Sequence, residues 1–470
     1  MPETNHADNA AHPPGPRLKR APLAGWGRYP TYLSEVYRPE KRAELSEIVA
    51  SDSHQLLARG AGRAYGDAAL NAPGRLIDLT RLNRMLSFYP ETGILRCEAG
   101  VTFSDIIDTF LPRGFFPPVV PGTRFVTMGG AIAADVHGKN HHRDSSLSAH
   151  VLSFDLMLAS GEIRRCSQEE NSDLFWATLG GMGLTGIVLE VELQLRRVES
   201  AWIESEVVRV PNIDEAIKAF ERIDRDYGYS VAWIDCVSRG SALGRSVIEL
   251  GDFATYEQLN PRQRGTPLSV RPRFRAAVPI DLPGIALRPF TVRAFNAVYY
   301  RRHRSTPRRL IDYERFFFPL DSIREWNRIY GRRGFVQYQC VWPLEESRAG
   351  LIEVLEEVTR SRRASFLAVL KKFGPQEGML SFPMPGYTLA LDFPVRDGLM
   401  AFLDRLDGIV LRRGGRVYLA KDARMRPEVF QAMYPKLDAW RAIKAAADPD
   451  NRFSSSLSRR LGMDPGRAPA

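Results

Sequence analysis

Short apolar runs alternate with Gly, Pro, Asn and Asp from about Gly25 to Ser200. HQLLARGAG, RLIDLTRLN, ILRCEAGVTF and IVLEVELQL are apolar runs of strand length, bounded by turn residues. SDIIDTFLPRG instead has apolar positions at helical spacing, and Gly114 is placed to end that helix. This mixture of strands and helices predicts an α+β fold.

A second region with a similar mixture of predicted strands and helices extends from about Pro211 to Gly415. We predict a helix over Ile213–Tyr227 and strands at SVAWIDCV and FVQYQCVWP. After it, the stretch from RVYLAKDAR to DPDNRF predicts a strand, a loop and two helical segments. A chain of 470 residues is longer than one hydrophobic core normally supports, so we expect at least two lobes.

Composition narrows the class of protein. Hydrophobic residues make up 44% of the chain, enough to fill buried cores, but no run of about 18 uncharged apolar residues predicts a membrane-spanning helix. The start has no apolar segment typical of a secretory signal, and residues 1–17 are predicted to be a disordered tail. Four scattered cysteines argue against a disulfide framework or a zinc site and are compatible with a reducing compartment: Cys97, Cys166, Cys236 and Cys340.

The charge balance is basic and concentrated in one stretch. A net charge of +10 favours anionic partners, whether nucleic acid, phosphate esters or lipid headgroups. Residues 261–309 carry twelve arginines, one acid (Asp281) and repeated prolines, a composition that favours a mobile loop over a packed element. The interleaved aromatic residues suit either nucleic acid or an anionic membrane surface, and a merely solvated loop is the third possibility.

Four glycine-bearing stretches allow backbone to approach a ligand closely: ARGAGRAYGD, CEAGVTF, PGTRFVTMGGAIAADVHG and ATLGGMGLTGIV. Backbone N–H groups in such turns can bind a phosphate, although a single stretch of this kind is more often a plain tight turn. The chain contains no G-x-x-x-x-G-K-[ST] loop of a Walker-type NTPase. GGMGLTG precedes a predicted strand rather than a helix, so a Rossmann site is also disfavoured.

RGAGRAYGD, PGTRFVTMGGAIAADVHG, DLFWATLGGMGLTGIV and the closing DPDNRF, in this order, resemble flavoproteins of the vanillyl-alcohol-oxidase type. In that family FAD lies extended between two subdomains, and backbone N–H groups hold its pyrophosphate. HGKNHH, EWNRIYG, GFVQYQ, LSFPMPG, LDFPVRDG and YLAKDAR further resemble the decaprenylphosphoryl-β-D-ribose 2-oxidases within it. The resemblance extends from about Gly25 to Leu461.

The resemblance implies a domain organisation and a cofactor site. It implies an α+β, two-subdomain FAD-binding domain from residues 18–199 and 416–470, with an α+β substrate domain built on an antiparallel sheet inserted at residues 200–415. Many relatives attach FAD covalently through a histidine at the place that Arg63 holds here, so we expect non-covalent FAD. The implied FAD-binding residues are Gly60, Gly62, Arg63, Tyr65, Gly66, Gly122, Thr127, Gly129, Gly130, Ala133, His137, Gly183, Gly186, Ile187 and Tyr418.

The histidines near residue 140 raise the question of a metal site. His137 and His141 have the spacing of a helical metal pair, but Gly138 and the preceding AADV disfavour that helix and no further ligand completes the site. We therefore expect no metal. His142 and His150 are expected to be solvated or satisfied in the core, whereas the resemblance places His137 and Lys139 beside the flavin and the substrate.

Oxidation of a secondary alcohol needs a hydride acceptor, a group that takes the hydroxyl proton, and an anchor for the substrate. The resemblance implies Lys421, His137, Gln339 and Tyr65 as catalytic residues, with Lys421 either stabilising negative charge or acting as the base. Gln337 and Gln339 lie two apart on a predicted strand, so they share one face. The implied substrate-binding residues are Lys371 as phosphate anchor, Gln337, Trp233, Lys139 and Phe373.

Three positions depart from the pattern of the ribose oxidases. Phe317 in FFPLD stands where relatives often have a tyrosine, so it lacks a phenol that could reach the pocket; Ala390 stands where some have a cysteine, and Thr388 stands where an asparagine is common. These departures leave the fold and the flavin prediction intact, and they bear on which sugar is bound.

We predict FAD-dependent oxidation of the 2-hydroxyl of a polyprenylphosphoryl-β-D-ribose to the 2-keto sugar, the first half of an epimerisation to arabinose that a partner reductase completes. The alternatives are a sugar-lactone or alditol oxidase of the same fold, and a basic nucleic-acid-binding protein. The expected partners are the polyprenylphosphoryl sugar and a membrane surface, without nucleic acid. We expect the protein to be cytoplasmic or peripheral on the inner membrane, with the periplasmic side left open.

Overall fold

The computed structural model describes residues 17–223, 226–271, 276–283 and 287–464. All but Arg17 of the predicted tail lies outside the described residues. The strands in chain order are β1 (Leu18–Ala24), β2 (Thr31–Tyr37), β3 (Leu56–Arg59), β4 (Arg75–Asp78), β5 (Met85–Tyr89), β6 (Ile94–Glu98), β7 (Phe115–Phe116), β8 (Val151–Met157), β9 (Ile163–Ser167), β10 (Ile187–Gln194), β11 (Arg196–Arg197), β12 (Trp202–Val210), β13 (Tyr229–Ile234), β14 (Ser246–Phe253), β15 (Ala276–Ala277), β16 (Thr306–Asp312), β17 (Ile323–Arg324), β18 (Phe335–Pro343), β19 (Ala368–Phe373), β20 (Gly386–Pro394) and β21 (Arg416–Val417).

The helices in chain order are α1 (Arg42–Ser51), α2 (Phe103–Phe110), α3 (Met128–Ala133), α4 (His141–Asp144), α5 (Ser172–Thr178), α6 (Ile213–Ile223), α7 (Pro261–Arg264), α8 (Pro289–Arg302), α9 (Tyr313–Phe317), α10 (Leu344–Arg360), α11 (Leu399–Arg412), α12 (Pro427–Met433), α13 (Leu437–Ala447) and α14 (Ser456–Leu461). No helix in these described ranges is long and apolar enough to cross a bilayer.

Two sheets form the N-terminal region. The first has the strand order β1-β2-β4-β3, and the second has the order β5-β6-β10-β8-β9 with antiparallel neighbours. The four runs predicted as strands here are β3, β4, β6 and β10, so these predictions are confirmed. The predicted helix is α2, and Gly114 follows its last turn with a left-handed φ of 81°.

An eight-stranded sheet in the order β16-β12-β14-β13-β19-β20-β18-β21 forms the second region. Its neighbours are antiparallel, and cross-strand partners share a face because side chains alternate along each strand. One face therefore carries four aligned pairs: Trp233 with Val369, Lys371 with Thr388, Gln339 with Ala390, and Gln337 with Asp392. The residues between them along each strand lie on the opposite face of the sheet, and they pack with α6, α10 and α11 in the largest apolar core.

The arginine-rich stretch differs from the predicted mobile loop at residues 289–302, which form α8. Pro289 occupies the first turn, where its missing N–H costs no hydrogen bond. Val292 and Asn296 are buried on one side of the helix, and Asn296 Nδ2 donates to Asp235 Oδ1 at 2.7 Å. Residues 272–275 and 284–286 of the stretch lie outside the described residues, as do residues 224 and 225 at the end of the predicted 213–227 helix.

The C-terminal segment contacts both regions. β21 pairs with β18 of the large sheet. Beyond α13 the chain returns to the first sheet, where Leu56 N donates to Arg452 O at 2.7 Å and Ser454 N donates to Leu56 O at 3.1 Å. Arg460 and Asp67 form an ion pair of 2.7 Å. These contacts place residues 452–460 beside β3, directly before the first glycine stretch.

Candidate active site

A cavity of about 910 Å³ lies between the glycine stretches and the polar face of the eight-stranded sheet. Its walls contain most of the residues predicted for the site. They are Gly60, Gly62, Arg63, Tyr65, Gly122, Thr127, Gly129, Gly130, Ala133, His137, Lys139, Gly183, Gly186, Trp233, Gln337, Gln339, Lys371, Tyr418 and Lys421. The structure thus brings most of the predicted cofactor and substrate residues to one cavity.

The glycines leave backbone open toward this cavity. Gly62 and Gly183 have φ values of 64° and 76°, in the left-handed region that favours glycine. A Cβ on Gly122 or Gly183 would meet no protein atom within 4 Å, so the space beside these two residues is free for a ligand. Within the described ranges, the backbone N–H groups of Ala61 and Arg63 have no hydrogen-bond partner.

Arg63 adds a half-buried cation to the same wall. Its guanidinium carbon lies 4.3 Å from the ring centroid of Trp26 and 5.2 Å from that of Phe125. Burial lowers the pKa of Arg63, and the Asp321 carboxylate partly opposes that effect. Arg63 Nε is buried without a hydrogen-bond partner. A cofactor that brings phosphates to this wall would satisfy this donor.

These features fit the pyrophosphate of FAD. Unpaired backbone N–H groups and small residues let an anion approach the main chain, and the half-buried guanidinium of Arg63 contributes positive charge. Thr127 caps the short α3 by accepting from Gly130 N at 3.3 Å, which fixes the glycine pair at its start. Tyr418 OH donates to Ala134 O at 2.8 Å and so ties the C-terminal segment to the end of α3.

His137 connects the glycine stretch to the sheet. Its Nε2 lies 3.2 Å from Gln339 Nε2, and its Nδ1 lies 3.1 Å from Lys371 Nζ. Burial, the neighbouring Lys371 and, more weakly, His141 and Lys421 hold the pKa of His137 well below its usual value. His137 is therefore a neutral imidazole at pH 7.

Lys421 lies over the ring of Tyr65, with Nζ 3.7 Å from the ring centroid. Burial lowers the pKa of Lys421 to about 7, and the Asp392 carboxylate opposes that shift. A lysine with this pKa can take up or release a proton near neutral pH.

Asp392 is a site residue that sequence reasoning missed. It accepts from Gln337 Nε2 at 2.6 Å and from Tyr330 OH at 3.1 Å, beneath the residues that line the cavity. Burial raises its pKa to about 7. A single acid in the apolar strand GYTLALDFP was the available signal, because an unpaired carboxylate is rarely buried in a sheet.

Lys139 and Trp233 line another part of the cavity. Lys139 Nζ lies 3.2 Å from Glu249 Oε2 and also donates to Phe316 O. Burial lowers the pKa of Lys139 while Glu249 raises it. The Trp233 ring packs on Tyr299 of α8, with centroids 4.6 Å apart.

Three predicted residues lie outside the cavity wall. Gly66 is required for backbone packing, because a Cβ there would overlap the carbonyl oxygen of Asp422. Ile187 begins β10 and is fully buried in an apolar cluster. Phe373 packs against His137 with ring centroids 4.7 Å apart, which supports the imidazole from outside the cavity.

The three positions that depart from the ribose-oxidase pattern lie in or beside the site. Ala390 and Phe317 line the cavity, and Phe317 belongs to an aromatic cluster with Phe116 and Tyr229. Thr388 lies behind Gln339, whose Nε2 donates to Thr388 Oγ1 at 3.3 Å.

The other histidines have protein partners. His141 Nε2 lies 3.1 Å from Gln376 Oε1, and its Nδ1 accepts from Gly374 N at 3.2 Å. His142 and His150 contact the carbonyl oxygens of Tyr227 and Asp144. Among the residues that the structure describes, no group of three or more His, Cys, Asp or Glu could hold a metal ion.

Comparisons with known proteins agree with this geometry. Residues 34–167 match the model of an FAD binding domain. A decaprenylphosphoryl-β-D-ribose oxidase of Mycolicibacterium smegmatis is 39% identical over 449 residues, which is 94% of this chain and 97% of that protein. An uncharacterised Streptomyces coelicolor protein is 38% identical over 77% of this chain and 100% of its own. A mouse L-gulonolactone oxidase is 27% identical over 34% of this chain and 36% of its own.

Proposed function

Because the chain belongs to the decaprenylphosphoryl-β-D-ribose oxidase family of FAD-binding proteins, we propose that it oxidises the 2-hydroxyl of a polyprenylphosphoryl-β-D-ribose to the 2-keto sugar. It is an FAD-dependent oxidoreductase that acts on a sugar hydroxyl. The observation that carries the proposal is one cavity lined both by the open glycine backbone and by Lys421, Lys371 and the two glutamines.

Each role in the reaction has a candidate group. When bound, FAD supplies the acceptor for the two electrons and the hydrogen that leave C2 as the C–H bond breaks. Lys421, as the neutral amine, takes the proton of the 2-hydroxyl as the C–O bond gains double-bond character. The Lys421 ammonium that results lies over the Tyr65 ring, whose π face stabilises a cation. Repeated turnover would require an external two-electron oxidant, oxygen or a quinone.

The sheet face supplies the substrate contacts. Gln337 and Gln339 project into the cavity from one strand, and their amide groups suit sugar hydroxyls. Trp233 offers an apolar ring for the sugar face. Lys371 supplies positive charge for the phosphate, while Lys139 is partly neutralised by Glu249. A lactone or alditol oxidase would need no such phosphate anchor.

The reaction is tested with purified enzyme under anaerobic conditions. The protein should be yellow, and polyprenylphosphoryl ribose should bleach the flavin absorbance, leaving a 2-keto sugar detectable by mass spectrometry. Free ribose and L-gulono-1,4-lactone serve as controls and should leave the flavin oxidised. Bleaching by the lactone but not by the lipid-linked ribose would assign the enzyme to the alternative class.

The contacts of the C-terminal segment bear on the domain organisation. The contacts of the C-terminal segment with β3 and of β21 with β18 support an FAD-binding domain of residues 18–199 and 416–470 with a substrate domain of residues 200–415 between them.

The residue at position 63 bears on how FAD is attached. Arg63 stacks on Trp26 at the place where relatives attach FAD through a histidine. An arginine forms no covalent link to FAD, which favours non-covalent binding.

A lipid-linked substrate requires contact with a membrane, and α8 has a surface suited to it. Phe290 and Val298 are 81% and 60% exposed and lie on one helix face with Ala294. The exposed residues Arg293, Arg301 and Arg302 accompany them, which suits anionic headgroups. On its other side, Tyr299 of the same helix lines the cavity. The enzyme would thus work peripherally on the inner membrane, and a partner reductase would complete the epimerisation to the arabinose donor.

A further inference from the structure

The hydroxyl of Thr388 has two neighbours. Thr388 Oγ1 donates to Cys340 O at 2.8 Å, and Gln339 Nε2 lies 3.3 Å from the same oxygen. A hydroxyl has one proton, and a backbone carbonyl can only accept. Since the shorter contact takes that proton, Thr388 Oγ1 can only accept from Gln339. The amide of Gln339 must therefore point its NH₂ group, not its carbonyl, toward Thr388.

This orientation decides which nitrogen of His137 carries the proton. The Gln339 NH₂ group that faces Thr388 also lies 3.2 Å from His137 Nε2. Both Gln339 hydrogens are donors, so His137 Nε2 must be the unprotonated acceptor. A neutral imidazole carries one proton, which then lies on Nδ1.

The proton on His137 Nδ1 in turn determines whether Lys371 is charged or neutral. Lys371 Nζ lies 3.1 Å from that nitrogen. An N–H group needs an acceptor opposite it, and only a neutral amine can accept. Electrostatics points the same way, because burial and then Lys421 and Lys139 lower the pKa of Lys371 to about 7. Among the described residues no carboxylate offsets these effects at Lys371, since Glu249 pairs with Lys139 and Asp392 with Gln337.

We propose that Thr388 is a positioning residue that orients the Gln339 amide, fixes His137 as the Nδ1–H tautomer and thereby holds Lys371 as a neutral acceptor in the resting enzyme. The inference rests on the proposed function in assigning Lys371 to the substrate phosphate. Among the described residues, Gln339 Oε1 has no hydrogen-bond partner, so this orientation also leaves a carbonyl oxygen for a substrate hydroxyl.

The arrangement couples phosphate binding to proton uptake. A phosphate beside Lys371 favours the ammonium, which can no longer accept from His137 Nδ1–H and must turn away from it. Substrate binding should therefore weaken as the pH rises above about 7. If the hydroxyl is removed by Thr388→Val, Gln339 is free to turn its carbonyl toward His137 Nε2–H, and Nδ1 becomes an acceptor for the ammonium. The pKa of Lys371 then rises.

The first experiment needs no substrate. Nitrogen NMR of the ¹⁵N-histidine holoenzyme reports the tautomer of each histidine, and His137→Gln assigns the signal of His137. Wild type and Thr388→Ser should show His137 protonated on Nδ1, whereas Thr388→Val should move the proton to Nε2. An Nε2–H tautomer in the wild type would overturn the proposal even if the valine variant did not fold.

The second experiment is the pH dependence of kcat/KM for flavin reduction by polyprenylphosphoryl ribose. Its high-pH decline should move upward by about one pH unit in Thr388→Val, with the rate about five- to tenfold lower, while Thr388→Ser stays within about twofold of wild type. A uniform loss of rate without that shift would contradict the proposal. If the substrate fails to reduce any variant, the proposed function fails, and the NMR result still decides the role of Thr388.

Discussion

At the scale of single residues, the site depends on lysines that are removed from water. A lysine in solution is a cation and a poor base at pH 7, and burial makes the neutral amine accessible. Lys421 reaches a pKa of about 7 because desolvation outweighs the attraction of Asp392. The Asp392 carboxylate also accepts hydrogen bonds from Gln337 and Tyr330. Asp392 therefore contacts a substrate-binding amide and also acts electrostatically on Lys421.

We predict that Lys421→Met binds FAD but reduces it about 10² to 10⁴ times more slowly, because the hydroxyl proton has no acceptor. The pKa of Lys421 is lowered from 10.5 to about 7, so the neutral base accumulates as the pH rises through 7. Wild-type flavin reduction at saturating substrate should therefore increase between about pH 6 and pH 8. Anaerobic stopped-flow absorbance measures both quantities.

The matched control for this variant is Lys218→Met, which removes an exposed lysine on α6 that pairs with Glu215. It should keep the wild-type rate and pH profile. If Lys421→Met reduces flavin at the wild-type rate, or retains the same rise with pH, another group must accept the proton.

At the scale of elements, several strands follow directly from the sequence, whereas α8 does not. Alternation of apolar residues is a local property, so β3, β6, β10 and β18 could be predicted without knowing their neighbours. The arginines and prolines around α8 favour a loop locally. The Asn296–Asp235 hydrogen bond joins α8 to a residue 61 positions away in the chain, directly after β13, a contact that periodicity cannot reveal.

The site residues also fall into those that local spacing predicts and those that only the fold brings together. Gln337 and Gln339 could be assigned to one face from their spacing alone, and the cavity contains both. Lys371, Thr388 and Asp392 meet them only through the register of three antiparallel strands. The residue types were visible in the sequence, but the hydrogen bonds that set their protonation were not.

We predict that α8 binds anionic membranes through its exposed face. Phe290→Asp combined with Val298→Asp should reduce co-sedimentation with phosphatidylglycerol vesicles at least about tenfold, since each change removes apolar area and adds repulsive charge. Flavin reduction by a short-chain, detergent-soluble substrate should be preserved.

Leu33→Asp is the control for this experiment, because Leu33 is 57% exposed on β2, outside α8. It should sediment with vesicles as the wild type does. Equal sedimentation of the α8 variant and the Leu33 variant would show that the membrane contact lies elsewhere on the molecule.

At the scale of the whole molecule, a buried ion pair lies beside the turn that brings the C-terminal segment onto β3. Lys444 and Asp448 are fully buried and paired with each other. The Asp448 carboxylate also accepts from Arg452 N at 2.8 Å and Phe453 N at 2.7 Å. It thereby shapes the turn that brings residues 452–454 onto Leu56 of β3, the strand that leads into the first glycine stretch.

We predict that Asp448→Asn lowers the free energy of unfolding by about 3 to 5 kcal/mol, because it leaves the Lys444 ammonium buried without its counter-charge. Loosening of β3 should also weaken FAD binding, so the rise in Tm on adding FAD should be smaller than in the wild type. Thermal unfolding with and without added FAD measures both effects.

Asp450→Asn is the control for this experiment, because Asp450 lies two residues away and is exposed. It should behave as the wild type. The double variant Lys444→Met with Asp448→Asn should recover part of the loss, because no unpaired charge remains. If Asp448→Asn unfolds at the same temperature as Asp450→Asn, the ion pair does not stabilise the closure of the chain onto β3.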